Sequence, residues 1–329
     1  MPATIPPEAC PACKAAIDSP PIHRYLAEQA AAHFCPPSRN AERYERLLRV
    51  VQRLWGGDAA YVYACGPCGF GFGWPYVGGD EEYYAILHEQ AGYPVDRWEY
   101  GLTIRSAMTQ TAVGNVLDIG AGDGAFLKQV PATWRKYATE GSATTRHRLT
   151  SSGIACFSST GDAIARMPSG FQVVTMFQVL EHVAPFDPLL ADCFQLLEPG
   201  GTLAISVPLA SAVFEQERLT GCQDMTPNHI NKWSPDALTH ALKRAGFERM
   251  ALEIEPPTLA AAFSRAGLMT RAQAAYQPHS LAAAAYRVKP RLPRLALLGG
   301  ISALNLAASM HKLLSLTQGI SFLMLATKR

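Results

Sequence analysis

Short apolar runs alternate with stretches of helical spacing through the middle of the chain. Four runs have the length and composition of buried strands, and a fifth follows a Pro-Gly-Gly turn and ends at Pro208. Repeated strand and helix units build a parallel, doubly wound sheet, so the pattern predicts a Rossmann-like α/β domain. The first four predicted strands cover residues 115–119, 137–140, 153–157 and 171–177.

The first predicted strand ends in a glycine-rich turn. Residues 120–125 read Gly-Ala-Gly-Asp-Gly-Ala, and a helix is expected to begin near Ala125. Glycines allow a ligand to approach the backbone closely, and the helix N-terminus directs N–H groups at that ligand. The turn also satisfies the dinucleotide pattern, with Glu140 about 20 residues further on to accept ribose hydroxyls. These residues predict a nucleotide-like cofactor and leave NAD open.

Two further motifs narrow the choice of cofactor. Residues 177–183 read Phe-Gln-Val-Leu-Glu-His-Val, and residues 199–201 read Pro-Gly-Gly. Together with the glycine turn they resemble the class I S-adenosylmethionine (SAM) dependent methyltransferases, in the group with LEHV after strand four and PGG before strand five. The resemblance covers roughly residues 90–255 and the last ten. It implies SAM binding by Asp118, Gly120, Gly122, Gly124, Glu140, Phe177 and Gln178.

The segment after the fifth strand has weak periodicity. Residues 208–233 therefore predict a loop of about 26 residues, a length typical of a lid or a substrate wall. Residues 229–234 resemble the H-x-N-x-[FW]-[ST] run that precedes a helix in the same family. Ser234, followed by proline and aspartate, predicts the start of that helix.

The C-terminal part predicts strands six and seven, over residues 250–254 and 319–326. The resemblance implies that strand seven lies antiparallel beside strand six. Between them, residues 256–318 are rich in alanine and leucine and predict a helical insertion. Residues 295–310 are apolar but shorter than the ~20 residues that span a bilayer, so no transmembrane helix is predicted. Basic residues before them suit weak membrane-surface contact through residues 289–310, although packing within the domain or in a homodimer is simpler.

Two cysteine pairs mark the N-terminal region. Cys10 and Cys13 flank one tight turn, Cys65 and Cys68 flank another, and four thiolates form a closed tetrahedral zinc site. The region resembles the zinc-binding N-terminal region described for some sugar and polysaccharide methyltransferases. A spacer of 51 residues, against the usual 15–20 or so, departs from that pattern.

The spacer contains one predicted helix over residues 44–55. Just before it lie His33 and Cys35, which are interpreted as bystanders, although the sequence leaves open whether they join the zinc site. The predicted organisation is a zinc-ribbon-like module over residues 1–90 and a methyltransferase domain over residues 91–329, with the insertion at 256–318.

Composition sets limits on partners and location. The chain has 329 residues, enough for about two domains. With a net charge of +2 and 17% charged residues, the protein has no strong positive field that would attract nucleic acid. Nucleic acid is therefore not expected as a partner. The first residues lack the basic start and apolar run of a signal peptide, which predicts a cytoplasmic protein. Eight cysteines, four of them in pairs, suit a metal in a reducing compartment.

Few catalytic groups are expected, because the methyl of a sulfonium is already activated and needs mainly alignment. A hydroxyl acceptor would gain from a general base, and histidine is suited to neutral pH. His182, just past strand four, and His229, in the predicted lid, are the candidates, and each also has a purely structural interpretation. Glu181 and His182 are not predicted to share a metal ion, because adjacent residues rarely face one ion.

The leading hypothesis is a SAM-dependent methyltransferase that acts on a small molecule or a saccharide, with oxygen favoured as the acceptor atom. Resemblance to C-methylating deoxysugar enzymes keeps carbon open. The alternatives are an NAD-dependent oxidoreductase and a non-catalytic protein whose zinc module binds a protein or RNA.

Overall fold

The computed structural model describes residues 6–89, 96–109, 112–277, 279–314 and 319–329. The predicted boundary between residues 90 and 91, and positions 315–318 of the predicted insertion, lie outside the described residues. In chain order the strands are β1 (His23–Leu26), β2 (Ala59–Ala64), β3 (Gly71–Trp74), β4 (Gly114–Ile119), β5 (Trp134–Thr139), β6 (Ala155–Phe157), β7 (Phe171–Phe177), β8 (Leu197–Pro208), β9 (Asn231–Lys232), β10 (Phe247–Ile254) and β11 (Ser321–Lys328).

Helices cover both sheets that these strands form. In chain order the α-helices are α1 (Ala27–Phe34), α2 (Ala41–Trp55), α3 (Glu81–His88), α4 (Trp98–Ala107), α5 (Ala125–Gln129), α6 (Ala143–Ser151), α7 (Thr160–Arg166), α8 (Asp187–Leu196), α9 (Ala210–Thr220), α10 (Pro235–Arg244), α11 (Leu259–Tyr276), α12 (Leu281–Tyr286) and α13 (Arg291–Leu314). One 3-10 turn, Leu180–His182, follows β7.

The larger sheet has seven strands in the order β10-β11-β8-β7-β4-β5-β6. Strands β4 to β8 are mutually parallel, and β11 lies antiparallel between β10 and β8. The predicted seven-stranded, doubly wound fold is therefore confirmed. Because the carboxyl ends of β4, β5 and β7 meet at one edge, the glycine turn, Glu140 and the segment after β7 converge there.

Both faces of this sheet are buried, which explains the nearly continuous apolar character of its central strands. Neighbouring residues along a strand point to opposite faces. Val174 packs in a core with Leu190 of α8 and Leu238 of α10. Val173, beside it, packs in a second core with Phe126 of α5.

The smaller sheet has the order β1-β2-β3-β9, and its pairs are antiparallel. Its fourth strand comes from the segment between β8 and α10, since Phe72 pairs with Asn231 and Gly71 pairs with Lys232. Sequence-distant parts of the chain therefore share one sheet. The helix predicted over residues 44–55 is α2, which Asn40 caps by accepting a hydrogen bond from the Arg43 N–H.

The prediction that residues 208–233 form one long loop is wrong for the first half. Helix α9 occupies Ala210–Thr220 and ends at Gly221. Gly221 has a φ of 68°, and helices commonly end at a glycine in this left-handed conformation. Its buried positions include Glu217 and Thr220, and the residue before it, Leu209, offers no side-chain cap. The apolar stripe and the capping signal that reveal a helix in a sequence are therefore both weak here.

The described part of the predicted insertion consists of α11, α12 and α13. Polar contacts join α13 to α11: Thr270 Oγ1 lies 2.9 Å from Ser302 Oγ, and Gln273 donates to Asn305 at 3.1 Å. Of the described α13 side chains, those of residues 291–308, none is buried. Across the described residues, no helix is both long enough and apolar enough to cross a membrane. Among the described side chains of α13, the exposed leucines are Leu292, Leu295, Leu297 and Leu304.

Candidate active site

The glycine turn after β4 has the backbone geometry that its sequence predicts. All three glycines have φ values in the left-handed region, 70° at Gly120, 52° at Gly122 and 71° at Gly124. A Cβ at Gly120 would lie 2.8 Å from a Val179 methyl, and one at Gly124 would lie 2.8 Å from a Leu149 methyl. Side chains at these two positions would therefore clash, and glycine leaves the backbone open to a ligand.

Glu140 follows β5 directly and lies against the glycine turn. Its Oε2 accepts a hydrogen bond from the Gly122 N–H at 3.1 Å, and its Oε1 accepts one from the Ser142 N–H at 3.1 Å. The carboxylate is thus held at the edge of the sheet where the resemblance places the ribose of SAM.

The other cofactor candidates differ in exposure. Asp118 is buried and accepts a hydrogen bond from Thr175 Oγ1 at 2.7 Å, and burial raises the pKa of its carboxyl to about 7. Phe177 is buried against Tyr100. Gln178 has a φ of 56°, unusual for a residue other than glycine, and it lines the cavity described below. Asp118 and Phe177 are not among the residues that line that cavity.

A cavity of about 520 Å³ lies beyond the carboxyl ends of β7 and β8. Gln178 and Pro208 mark those strand ends in its wall, His229 lies on the segment before β9, and Arg271 comes from α11. This volume falls in the range of small-molecule sites. The segment between β8 and β9 and the inserted helices therefore both enclose the space beside the sheet edge.

His229 is held by a charged partner. Its Nδ1 lies 2.5 Å from Asp224 Oδ1, and Lys232 Nζ donates to Asp224 Oδ2 at 2.9 Å. Burial by itself would lower the pKa of His229, but the Asp224 carboxylate outweighs it and raises that pKa. Burial likewise opposes ionisation of Asp224, yet the positive charges of His229 and Lys232 hold its pKa well below the usual range.

The structure brings His182 next to His229. The two imidazole centroids are 4.8 Å apart, and His182 Nδ1 lies 2.7 Å from the Asn228 carbonyl oxygen. Glu181 and His182 are not predicted to share a metal ion, yet the structure places Glu181 Oε1 3.8 Å from His182 Nε2. The tight 3-10 turn directs both side chains to one place. Burial raises the pKa of the Glu181 carboxyl to about 7.

The four paired cysteines form one cluster. Cys10 Sγ lies 3.7 Å from Cys68 Sγ, and Cys13 Sγ lies 3.6 Å from Cys65 Sγ. These distances exclude disulfides, whose sulfurs are about 2.05 Å apart, and match the ~3.8 Å edge of a zinc–thiolate tetrahedron. The cluster therefore fits a zinc ion.

The residues interpreted as bystanders lie outside this cluster. His33 Nδ1 lies 2.8 Å from the Tyr276 hydroxyl, and Cys35 Sγ lies 3.5 Å from the Asn40 carbonyl oxygen.

Sequence reasoning missed Asp224, Lys232 and the contribution of Glu181. Asp224 lies five residues before His229, a spacing with no meaning in a loop of unknown shape. Lys232 carried no signal either, because its ammonium reaches Asp224 only through the position of β9.

The seven-stranded sheet and the glycine turn have the arrangement that the resemblance to the class I SAM-dependent methyltransferases implies. In agreement, residues 96–252 match a protein family described as a methyltransferase domain. The matched segment runs from before β4 into β10 and leaves β11 outside.

Individual relatives are distant. A probable S-adenosylmethionine-dependent methyltransferase of Mycolicibacterium smegmatis is 33% identical over 88 residues, 26% of this chain and 33% of that protein. A ubiquinone biosynthesis O-methyltransferase of Chelativorans sp. is 24% identical over 163 residues, 47% of this chain and 59% of that protein. The chain spans between a third and three fifths of these two relatives.

Solved structures with a similar fold include a SAM-dependent methyltransferase from Archaeoglobus fulgidus. It is 16% identical with a TM-score of 0.47, and the match covers 75% of this chain and 100% of that one. A Thermotoga maritima SAM-dependent methyltransferase is 14% identical with a TM-score of 0.43, over 71% of this chain and 91% of that one.

Proposed function

We propose that the protein transfers a methyl group from SAM to a hydroxyl of a small molecule or saccharide held in the 520 Å³ cavity. The observation that carries the proposal is the position of His229. Its imidazole, oriented by Asp224, lines the same cavity as Gln178 at the end of β7. The glycine turn, His229 and the cavity for the acceptor therefore lie at one edge of the large sheet.

In this reaction the bond from sulfur to the methyl carbon breaks as the bond from that carbon to the acceptor oxygen forms. S-adenosylhomocysteine leaves, and the hydroxyl proton passes to a base. Asp224 occupies Nδ1 of His229, so Nε2 is the atom that would accept the proton, and the carboxylate stabilises the resulting imidazolium. His182, beside it, is the second candidate.

Replacement of Glu140 by alanine is expected to weaken SAM binding at least ~10-fold. The carboxylate can accept hydrogen bonds from both ribose hydroxyls, and such charge-assisted bonds are each worth roughly 1.5–3 kcal/mol. Isothermal titration calorimetry with SAM measures the effect. Glu198→Ala, which removes a carboxylate at the start of β8 and away from the turn, serves as control. Equal SAM affinity of Glu140→Ala and the wild type would remove Glu140 from the cofactor site.

The identity of the cofactor and the identity of the acceptor atom are tested in separate experiments. Calorimetry with SAM and with NAD distinguishes the methyltransferase from the oxidoreductase, and binding of NAD alone would overturn the proposal. Labelled methyl-SAM incubated with hydroxylated acceptors, followed by NMR of the product, distinguishes oxygen from carbon methylation. A chain that binds SAM and never turns it over would favour the non-catalytic alternative.

We further infer that the four-cysteine cluster holds a structural zinc ion, because four thiolates leave no open position for a substrate. Such a site requires reduced thiols. The proposal therefore goes together with a cytoplasmic location, which stays a prediction.

The exposed leucines of α13 are expected to pack against a second copy of the protein in a homodimer. Residues 295–310 carry no charged side chain, and the described ones among them are not buried, so a second copy would bury apolar surface at small electrostatic cost. Light scattering is expected to give a dimer that a Leu297→Glu, Leu304→Glu double variant dissociates. A monomeric wild type that co-sediments with anionic liposomes at low salt would instead favour membrane contact through 289–310.

A further inference from the structure

Three side chains approach one another as metal ligands do, and one of them, His229, lines the cavity. Glu181, His182 and His229 each offer one potential ligand atom within 4.8 Å of the other two. Bonds from zinc to nitrogen or oxygen are about 2.0–2.2 Å long, so ligands on opposite sides of one ion are about 4.2 Å apart. Movements of less than about 1 Å would bring all three onto a single ion.

The histidines carry the supporting contacts that metal-binding histidines have. A ligating imidazole usually places its second nitrogen against a carboxylate or a backbone carbonyl, which fixes the ring and its tautomer. Here Nδ1 of His229 faces Asp224 Oδ1 at 2.5 Å, and Nδ1 of His182 faces the Asn228 carbonyl at 2.7 Å. On each ring, Nε2 is then the atom that can coordinate an ion.

The Glu181 carboxylate provides a second, independent observation that points to a bound ion. Glu181 is 1% exposed, and within the described part of the chain its Oε2 has no hydrogen-bond partner. A buried carboxylate oxygen without a partner costs free energy unless something compensates it. The same carboxylate supplies the oxygen nearest to His182. A cation bound by the Glu181 carboxylate would compensate this cost.

We propose that Glu181, His182 and His229 bind one divalent transition-metal ion beside the acceptor cavity. Two imidazoles and one carboxylate suit Mn²⁺, Fe²⁺, Co²⁺ or Zn²⁺ and leave coordination positions open. An ion bound to His229, which lines the cavity, would lie beside the space for the acceptor. The site is separate from the four-cysteine cluster, whose thiolates favour zinc.

The role of the ion rests on the proposed methyl transfer. An acceptor hydroxyl bound to it loses its proton to water more readily, and the resulting oxygen attacks the methyl carbon while sulfur takes the electrons of the breaking bond. With the ion bound, His182 and His229 act as ligands, and water takes the proton in place of His229.

Binding of Mn²⁺ to the full-length, zinc-loaded protein tests the site, because Mn²⁺ avoids thiolate sites. The electron paramagnetic resonance signal of free Mn²⁺ is expected to fall until about one ion per chain is bound. Glu181→Gln and His182→Ala are expected to weaken binding at least ~10-fold, and Asp224→Asn, which removes the charge that supports both His229 and Lys232, by ~10-fold or more. His240→Ala, an exposed histidine on α10, should bind as the wild type does.

The outcomes separate this inference from the proposed function. A wild type that binds neither Mn²⁺ nor Co²⁺ overturns the site, and so do correctly folded Glu181→Gln and His182→Ala proteins with unchanged affinity. The wild-type titration needs no variant to fold and no acceptor. Metal binding without methyl transfer would overturn the proposed function and leave the site standing.

Discussion

The Cys65→Ser protein is expected to lose about one zinc ion per chain and to unfold its N-terminal region at a temperature well below that of the wild type. Cys65 Sγ lies 3.6 Å from Cys13 Sγ within the cluster, and three thiolates hold zinc less tightly than four. In small zinc domains the ion contributes about 10–16 kcal/mol of apparent binding free energy, which becomes folding free energy. Metal analysis and circular dichroism on heating measure the two effects.

The control for this experiment is Cys156→Ser. Cys156 is a half-buried thiol on β6, outside the four-cysteine group, and its loss should leave zinc content and melting unchanged. SAM affinity should survive the loss of zinc, because the glycine turn belongs to the other sheet. A zinc-free protein as stable and as active as the wild type would show that the cluster has no structural metal.

Removal of the His229 imidazole is expected to lower turnover by about 10²-fold or more while SAM binding stays intact. General bases contribute roughly 10²–10⁴-fold, and removal of one metal ligand has an effect of similar size. His229→Ala and His229→Asn should both show the loss, since neither can accept a proton at the position of Nε2. Steady-state kinetics gives the turnover, and calorimetry with SAM gives the cofactor affinity.

His240→Ala is again the matched control, because it removes an exposed imidazole far from Asp224 in the chain. Reduced SAM affinity with unchanged turnover in His229→Ala would make His229 a structural or cofactor-binding residue. The search for the group that activates the acceptor would then move to His182.

The large sheet could be predicted because its strands are defined by local apolar patterns. Strand β7 matches the prediction over residues 171–177 because six of its seven residues are buried, so the apolar run and the strand coincide. The glycine turn was equally readable, since positive φ values and close contacts restrict those positions to glycine. Both ends of helix α2 could be predicted, because Asn40 caps its N-terminus and Gly56 ends it.

The candidate site was predictable only one residue at a time. His182 and His229 could be named, but their contact depends on the path of residues 221–230, which no periodicity encodes. Asp224 reaches His229 through that same path. A metal ion shared by Glu181 and His182 is not predicted, because adjacent residues rarely face one ion, whereas the 3-10 turn brings these two side chains together.

The pairing of β9 with β3 sets a limit on how the chain can be shortened. A truncated protein that starts near residue 96 would keep every strand of the large sheet, yet it would strip β9 of the neighbour that positions Lys232. The Lys232 ammonium would then no longer be anchored against Asp224, and the orientation of His229 would go with it. A fragment that starts near residue 96, where the family match begins, should therefore still bind SAM but should not methylate the acceptor.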